Sequence, residues 1–390
     1  MSPVGSVAGA VELLDAPVTP AEVERFLPRL ARSLNGGAPV MTLPRGGPER
    51  LWLVDAVTRS GGVLPWDAAL VVPTTGSTGT PRLAVLSRSA LTASADLTHR
   101  ALGGPGRWLL ALPTTHIAGL QVLVRSLRSG LEPTVLDTRE TFSVGSFVAA
   151  VQALDISASE HPHYTALVPT QLQRLLDDGA GVESLWQLDA VLVGGAAMSP
   201  RLLARARDAG VTVVRTYGMT ETCGGCVYDG EPLAGVAISI GPDGRIRLRG
   251  PMLFDGYLGD GTAEWVDGWL VTNDVGRLVD GRLTVDGRVD HIINSGGVKV
   301  PAEAVEQALL ELPFVEQAVV VGLSDDEWGK RVVAVVTPAS DVSGMRDAVR
   351  GRLPDEWLPR EVVGVDALPW LAPGKVDREA VRRIAGDLAR

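Results

Sequence analysis

From about residue 68 the chain alternates short apolar runs with stretches of helical periodicity, and few folds accommodate that pattern. Ala68 to Pro73, Trp108 to Leu112, Thr134 to Leu136, Ala166 to Val168, Ala190 to Val193 and Val211 to Val214 read as buried strands. Ser87 to Leu102, Ala118 to Arg128, Gln171 to Asp177 and Pro200 to Ala209 read as helices between them. Ser199 before Pro200 is an N-cap followed by a first-turn proline. Strand–helix alternation predicts an α/β fold with parallel sheet and right-handed crossovers. From about residue 233 to 286 the texture changes to short strands and tight turns, with a hairpin at Val279-Asp280-Gly281-Arg282-Leu283.

Past Asp290 a smaller α+β module begins, of about 100 residues, enough for a domain. It is expected to hold a helix from Pro301, strands at Ala318 to Val321 and Val332 to Val336, a helix near Met345 to Arg352, and a last helix from Asp377. The expected domains are therefore residues 1–289, a large unit of α/β sheets with a β-rich subdomain, and residues 290–390. The first 65 residues read as two helices and a strand or two, without identifiable chemistry.

Composition excludes several classes of function. A net charge of −10 disfavours nucleic acid and acidic membrane surfaces as partners. No apolar run reaches the length of a membrane span, and Met1 to Ala10 lacks a basic region leading into an apolar core, so a cytoplasmic protein is expected. The two cysteines, Cys223 and Cys226, form a C-x-x-C without a second such pair. They read as buried or pocket-lining thiols rather than as a metal or redox centre. Only three lysines occur, Lys299, Lys330 and Lys375, against 33 arginines. Lys375 follows Pro373-Gly374 just before the final helix. A compact ammonium on a flexible stem suits a crowded reacting centre better than a guanidinium does, although a compositional bias toward Arg leaves the same trace.

Six further segments carry chemistry. Thr74-Thr75-Gly76-Ser77-Thr78-Gly79-Thr80-Pro81-Arg82 follows a buried strand and gathers hydroxyls, glycines and a cation, as a phosphate cradle requires. It does not fit the Walker A pattern. Thr216-Tyr217-Gly218-Met219-Thr220-Glu221-Thr222 is expected on a loop at the carboxyl end of a strand, where open α/β sheets bind ligands. There Tyr217 offers a face for a base, Thr220 a hydroxyl, and Glu221 a hard oxygen for Mg²⁺. Gly194-Gly195-Ala196 could let a flat ring approach backbone. Thr272-Asn273-Asp274 is expected to end a strand with a carboxylate able to accept ribose hydroxyls. Gly287-Arg288-Val289-Asp290 and Asn294-Ser295-Gly296-Gly297 flank the start of the small module and suit either a hinge or simple turns.

Taken in order, these segments resemble the acyl-adenylate-forming superfamily, from about Val71 to Arg378. The resemblance implies ATP, Mg²⁺ and coenzyme A as co-substrates and cofactors, and it implies roles. Thr74, Thr75, Gly76, Ser77, Thr78, Gly79 and Arg82 would hold the ATP phosphates. Gly194, Gly195, Ala196, Thr216, Tyr217 and Gly218 would surround the nucleotide. Thr220 and Glu221 would serve catalysis, Glu221 on the metal. Asp274 would bind the ribose with Arg288 beside it, Asp290 would be the inter-domain hinge, and Lys375 would be the adenylation lysine. Three features depart from the family pattern: Arg82 stands where Lys is usual, Asn273 replaces a Gly, and the chain is short.

Among short members, the o-succinylbenzoate–CoA ligases of menaquinone synthesis are the most similar. Leu112-Pro113-Thr114-Thr115-His116-Ile117-Ala118-Gly119-Leu120 and Leu167-Val168-Pro169-Thr170-Gln171-Leu172 carry that likeness, with Tyr217 to Cys223. By this resemblance His116, Gly119, Val168, Pro169, Gly218 and Met219 line the acyl pocket. Gly296 and Gly297 meet CoA. Arg125 and Arg215 are candidates to balance a second substrate carboxylate, since Arg forks suit carboxylates. Family members are often homodimers. A CoA ligase for another aryl or medium-chain acid, or a non-catalytic nucleotide-binding relative, would share most of these residues.

Overall fold

The computed structural model describes residues 6–7, 11–60, 64–74, 82–139, 141–154, 160–259, 262–339, 342–372 and 375–389; for 6–7, 371–372 and 375 it describes the backbone alone. Two compact units result. One comprises Met1–Gly195, Arg205–Ile238 and Leu248–Leu270; the other comprises Ala196–Ala204, Ser239–Arg247 and Val271–Arg390.

The first unit contains a seven-stranded sheet in the order Glu231–Pro232, Gly224–Tyr228, Val213–Met219, Ala190–Val193, His163–Leu167, Arg107–Leu110, Thr134–Val135. Its last five strands run parallel, and the first two are antiparallel additions. Ala190–Val193, in the middle of the parallel strands, is a continuous and fully buried apolar run, as a strand covered on both faces is. The helices Arg88–Ala101 and Ile117–Ser129 lie among these strands, and the second buries Ile117 and nearly every residue from Gly119 to Ser126. Ser87 Oγ caps the first, accepting from Ala90 N at 3.3 Å. Gly130 ends the second in the left-handed region, φ 71°.

Ala68–Thr74 departs from the expected pattern. It belongs to a separate five-stranded sheet, ordered Gly256–Leu258, Arg82–Ser87, Ala68–Thr74, Val40–Leu43, Glu12–Asp15. There it pairs antiparallel with Arg82–Ser87, the next strand in the described chain. An apolar run reports burial on both faces but not which sheet supplies its neighbours. Among the described residues of the N-terminal 65 are the two expected helices, Pro20–Leu34 and Gly47–Ser60, and four strands. Val144–Gln152 and Gly179–Leu185 are short helices that the alternating pattern did not reveal.

In the second unit, Trp269–Val279 continues past Leu270 into the hairpin with Arg282–Arg288. Asp280 and Gly281 occupy its turn at φ 49° and 78°, the conformation that Asp-Gly favours. Asp274 therefore sits within a long strand rather than at the end of one. Further along, Gln317–Asp325, Gly329–Thr337 and Glu361–Gly364 form a three-stranded sheet. Val320, Val332, Ala334 and Val336 pack in one core cluster with residues of the helix Ala302–Leu310. Val319, Val321, Val333 and Val335 pack in another with Val381 and Ala385 of Arg378–Leu388. Strand period two explains the division. Arg378 donates to Glu306 Oε1 at 2.7 Å and Oε2 at 3.0 Å, and Glu306 Oε1 also accepts from Val320 N at 2.7 Å. The helix expected near Met345 to Arg352 is only Met345–Ala348; Gly351 at φ 83° suits a turn instead.

Among the described residues, no helix is long and apolar enough to cross a membrane.

Candidate active site

Thr74 and Arg82 are cross-strand partners at the ends of two antiparallel strands. Thr75, Gly76, Ser77, Thr78 and Gly79 lie outside the described residues. Thr74 Oγ1 is buried and has no hydrogen-bond partner among the described residues. A buried hydroxyl left unsatisfied is costly, and a phosphate oxygen is an acceptor that would satisfy it.

Beside Arg82 stands Glu221. Thr220–Thr222 is a 3₁₀ turn after Val213–Met219, fixed by Thr222 Oγ1, which accepts from Met219 N at 2.9 Å and donates to Gly224 O at 2.6 Å. Glu221 is 9% exposed. Its Oε1 accepts the Tyr257 hydroxyl and lies 3.8 Å from Arg82 Nη2. Its backbone carbonyl accepts from Phe254 N at 2.9 Å. The Arg82 guanidinium lies 4.2 Å from the Tyr257 ring centroid. Burial and then the Glu221 carboxylate push the Tyr257 phenol well above its usual pKa, so it stays protonated as a donor. No hydrogen bond to Glu221 Oε2 is found among the described residues. Nor do these residues gather three or more metal-binding side chains. One free carboxylate oxygen fits Mg²⁺, which takes one or two carboxylates and fills its shell with phosphates and water.

The Tyr217 segment corrects the sequence reading. Thr216, Tyr217, Gly218 and Met219 are in a strand, paired with Gly224–Tyr228, and not in a loop. Gly218 makes this possible: a Cβ there would lie 2.0 Å from Gly224 O and 2.7 Å from Gly225 Cα. Gly194 is likewise pressed on Thr216, where a Cβ would come within 2.2 Å of Thr216 Oγ1. Gly195, at φ 79°, stands beside Val168, while Ala196 is exposed. Val168 and Pro169 open the helix Pro169–Leu176, with Val168 N donating to Gln171 Oε1 at 3.0 Å. His116 is the half-buried residue before the helix Ile117–Ser129. Gly119 lies so close to Pro113 O that a Cβ would reach 2.3 Å. From that same helix Gln121 donates to Cys223 O at 2.8 Å, anchoring the turn after Glu221.

One turn further, Arg125 is 3% exposed, with its guanidinium 4.9 Å from the Trp108 ring centroid. Its Nε is buried without a hydrogen-bond partner, and no carboxylate pairs with it among the described residues. A Cβ on Gly224 would lie 4.0 Å from Arg125 Nη2. Arg215 instead is exposed and bonded to Asp229 at 2.9 Å, which accounts for its charge. Cys223 and Cys226 are buried, and burial pushes both thiols up, Cys226 to about 12, so neither is a ready nucleophile.

In the second unit Asp274 and Arg288 are directly opposite across the hairpin, with Arg288 Nη1 donating to Asp274 Oδ1 at 3.1 Å. Arg288 also forks onto Asp290 at 2.9 and 3.1 Å. Asp274 N donates to Thr272 Oγ1 at 3.1 Å, while Asn273 is exposed. Asp290 lies in the 3₁₀ turn Val289–His291. Gly296 and Gly297, φ 58° and 83°, turn the hairpin between Ile292–Ser295 and Val298–Pro301, and Gly296 is packed against the Trp328 ring. Lys375 opens the short strand Lys375–Val376, paired with Trp370–Ala372.

The sequence reading missed Tyr257. It is one of four tyrosines, in a three-residue edge strand whose pattern carries no signal of a site.

The family model of AMP-binding enzymes matches residues 55–258, and that of the AMP-binding enzyme C-terminal domain matches residues 304–375. A probable 2-succinylbenzoate–CoA ligase of Mycobacterium tuberculosis is 44% identical over 375 residues, covering 93% of this chain and 96% of that protein. The o-succinylbenzoate CoA synthetase of Bacillus subtilis, solved with its acyl-adenylate intermediate, aligns over 96% of this chain and 88% of that one (TM-score 0.75, 26% identity). The same enzyme solved with ATP and a magnesium ion aligns over 95% and 89% (TM-score 0.73, 25% identity). Matched by both family models and 44% identical to that ligase over nearly its whole length, this protein belongs to the AMP-binding, adenylate-forming enzymes.

Proposed function

We propose that this chain is a cytoplasmic acid–CoA ligase that converts o-succinylbenzoate, ATP and CoA into o-succinylbenzoyl-CoA, AMP and diphosphate by way of an acyl-adenylate, a step of menaquinone synthesis. The observation that carries the substrate choice is Arg125. A buried guanidinium without an anionic partner costs several kcal/mol, so the fold tolerates it best where a ligand completes the pair. A dicarboxylic acid supplies one carboxylate to be activated and another to meet Arg125, with Trp108 covering one face of the cation. An aromatic monoacid leaves that charge unmatched.

In the first step a carboxylate attacks the α-phosphorus of ATP, and both are anionic, so the chain's task is charge neutralisation and alignment. Thr74 and the segment 75–79, with Arg82, would hold the departing diphosphate. Magnesium would offset phosphate charge, and Glu221 Oε2 is the atom that would hold it. Gly194, Gly195 and Tyr217 would receive the adenine, and Asp274, oriented by Arg288, would accept the ribose hydroxyls. His116, Gly119, Val168 and Met219 would line the acyl site. Lys375 would bridge the carboxylate and the α-phosphate. In the second step the C-terminal part would turn about Asp290, withdrawing Lys375 and bringing Gly296-Gly297 to CoA, whose thiolate attacks the acyl carbon and expels AMP.

Diphosphate release is measured with o-succinylbenzoate, benzoate, 4-coumarate and medium-chain acids. o-Succinylbenzoate is expected among the best substrates. In Arg125→Met its KM should rise about 30–100-fold, the worth of a charged hydrogen-bonded pair, while monoacids change little. Poor turnover of o-succinylbenzoate by the wild type, or an equal loss for every acid in the variant, would overturn the reading.

A further inference from the structure

We infer that Tyr257 is a positioning residue for the Glu221 carboxylate: it ties down Oε1 through its hydroxyl, supports Arg82 on its ring, and so leaves Oε2 aimed at the divalent cation that accompanies ATP. This rests on the reading of Glu221 as the metal-side carboxylate.

Three observations converge on it. The Tyr257 hydroxyl donates to Glu221 Oε1, the oxygen that Arg82 Nη2 also approaches at 3.8 Å. The Arg82 guanidinium lies 4.2 Å from the Tyr257 ring centroid, within cation–π range. The strand that carries Tyr257 is locked to the strand that carries Arg82, with Tyr257 opposite Ala84 and Leu258 opposite Leu83. Three residues before Tyr257, Phe254 N holds the Glu221 carbonyl at 2.9 Å, and the Phe254 ring meets the Tyr257 ring edge-on at 5.0 Å.

The physical consequence concerns competition. Without the phenol, the Glu221 carboxylate is free to rotate and offer both oxygens to Arg82, as carboxylate–guanidinium pairs prefer. Such a fork would take the charge of Arg82 from the phosphates and an oxygen from the metal. With Tyr257 on Oε1 the two functions stay separate: Arg82 stays over the ring, and Oε2 stays available.

The test uses Mn²⁺ as a spin probe, titrated into the full chain saturated with a non-hydrolysable ATP analogue and followed by EPR. Wild type, Tyr257→Phe and Glu221→Gln are compared after their thermal midpoints confirm folding. Tyr257→Phe keeps the ring under Arg82 and deletes only the hydroxyl, so its Mn²⁺ dissociation constant should rise about tenfold. In steady state its requirement for Mg²⁺ should rise in parallel. If Glu221→Gln weakens Mn²⁺ binding and Tyr257→Phe binds as the wild type does, the positioning role is wrong and the Glu221 assignment stands. If Glu221→Gln binds Mn²⁺ unchanged, the Glu221 assignment itself fails, and this inference with it.

Discussion

Gly218 lies in a strand with an ordinary negative φ, and its need for glycine comes from a neighbour rather than from its own backbone. A Cβ there would meet the carbonyl and Cα of the facing strand, atoms that cannot swing away as a side chain can. Gly218→Ala should therefore separate Val213–Met219 from Gly224–Tyr228 and displace Tyr217 and Thr220. The expected cost is about 1–3 kcal/mol of stability, with acyl-adenylate formation lost. Thermal unfolding and diphosphate release check it; wild-type turnover in the variant would refute the tight contact. Gly194 follows the same logic against Thr216. The two glycines are plain in the sequence, but the atoms they yield to lie elsewhere in the chain.

The helix Ile117–Ser129 shows what an element adds. Its N-terminal end carries His116 and Gly119, its middle anchors the turn after Glu221 through Gln121, and its later turn buries Arg125. His99, on the neighbouring helix, is held neutral beside that cation. Its Nε2 accepts from the Trp108 indole at 3.3 Å, and burial first, then Arg125, lower its pKa to about 4. Folded and unfolded states then differ in proton uptake. The stability this gives is complete above pH 6.5 and is lost as pH falls toward 4, because the unfolded chain binds the proton first. The loss should be on the order of 2–3 kcal/mol. Thermal midpoints of wild type and His99→Gln across pH 4–7 check it, the variant giving the flatter profile; parallel profiles would refute it. Helix limits here fell close to expectation because caps and periodicity are local. The strand Val213–Met219 runs past the apolar stretch Val211 to Val214 because antiparallel pairing, which no single segment reveals, extends it.

At the scale of the molecule, the proposal divides the reaction between two half-reactions. Lys375 lies in the C-terminal part, on a two-stranded hairpin before the final helix. Lys375→Ala should abolish acyl-adenylate formation and leave thioester formation from supplied acyl-adenylate largely intact. Rapid-quench measurement of each half-reaction checks this, and an equal loss in both would contradict the two-conformation scheme. Only three lysines occur among 33 arginines, and the hydroxyl-rich segment after Thr74 ends in Arg82 where the family resemblance implied lysine. A fixed guanidinium resting on the Tyr257 ring can serve as a phosphate clamp. A charge that must enter and leave a crowded centre is better carried by a slim, flexible ammonium.

The sequence alone determined the α/β class, the hairpin at Asp280-Gly281, the limits of the main helices and the order of the chemical segments. Each rests on local rules of periodicity, turn conformation and capping. It also singled out Asp274, Arg288, Glu221 and Thr74 as candidates, because residue type and spacing are local properties. Only the tertiary structure decided that Ala68–Thr74 joins a different sheet from the later strands and that Arg215 is committed to Asp229. Arg125 is buried over the Trp108 ring with no carboxylate partner among the described residues, and Tyr257 holds Glu221 from 36 residues away in the chain. Pairing partners and buried charge depend on contacts between distant segments, and no window of sequence contains both sides of such a contact.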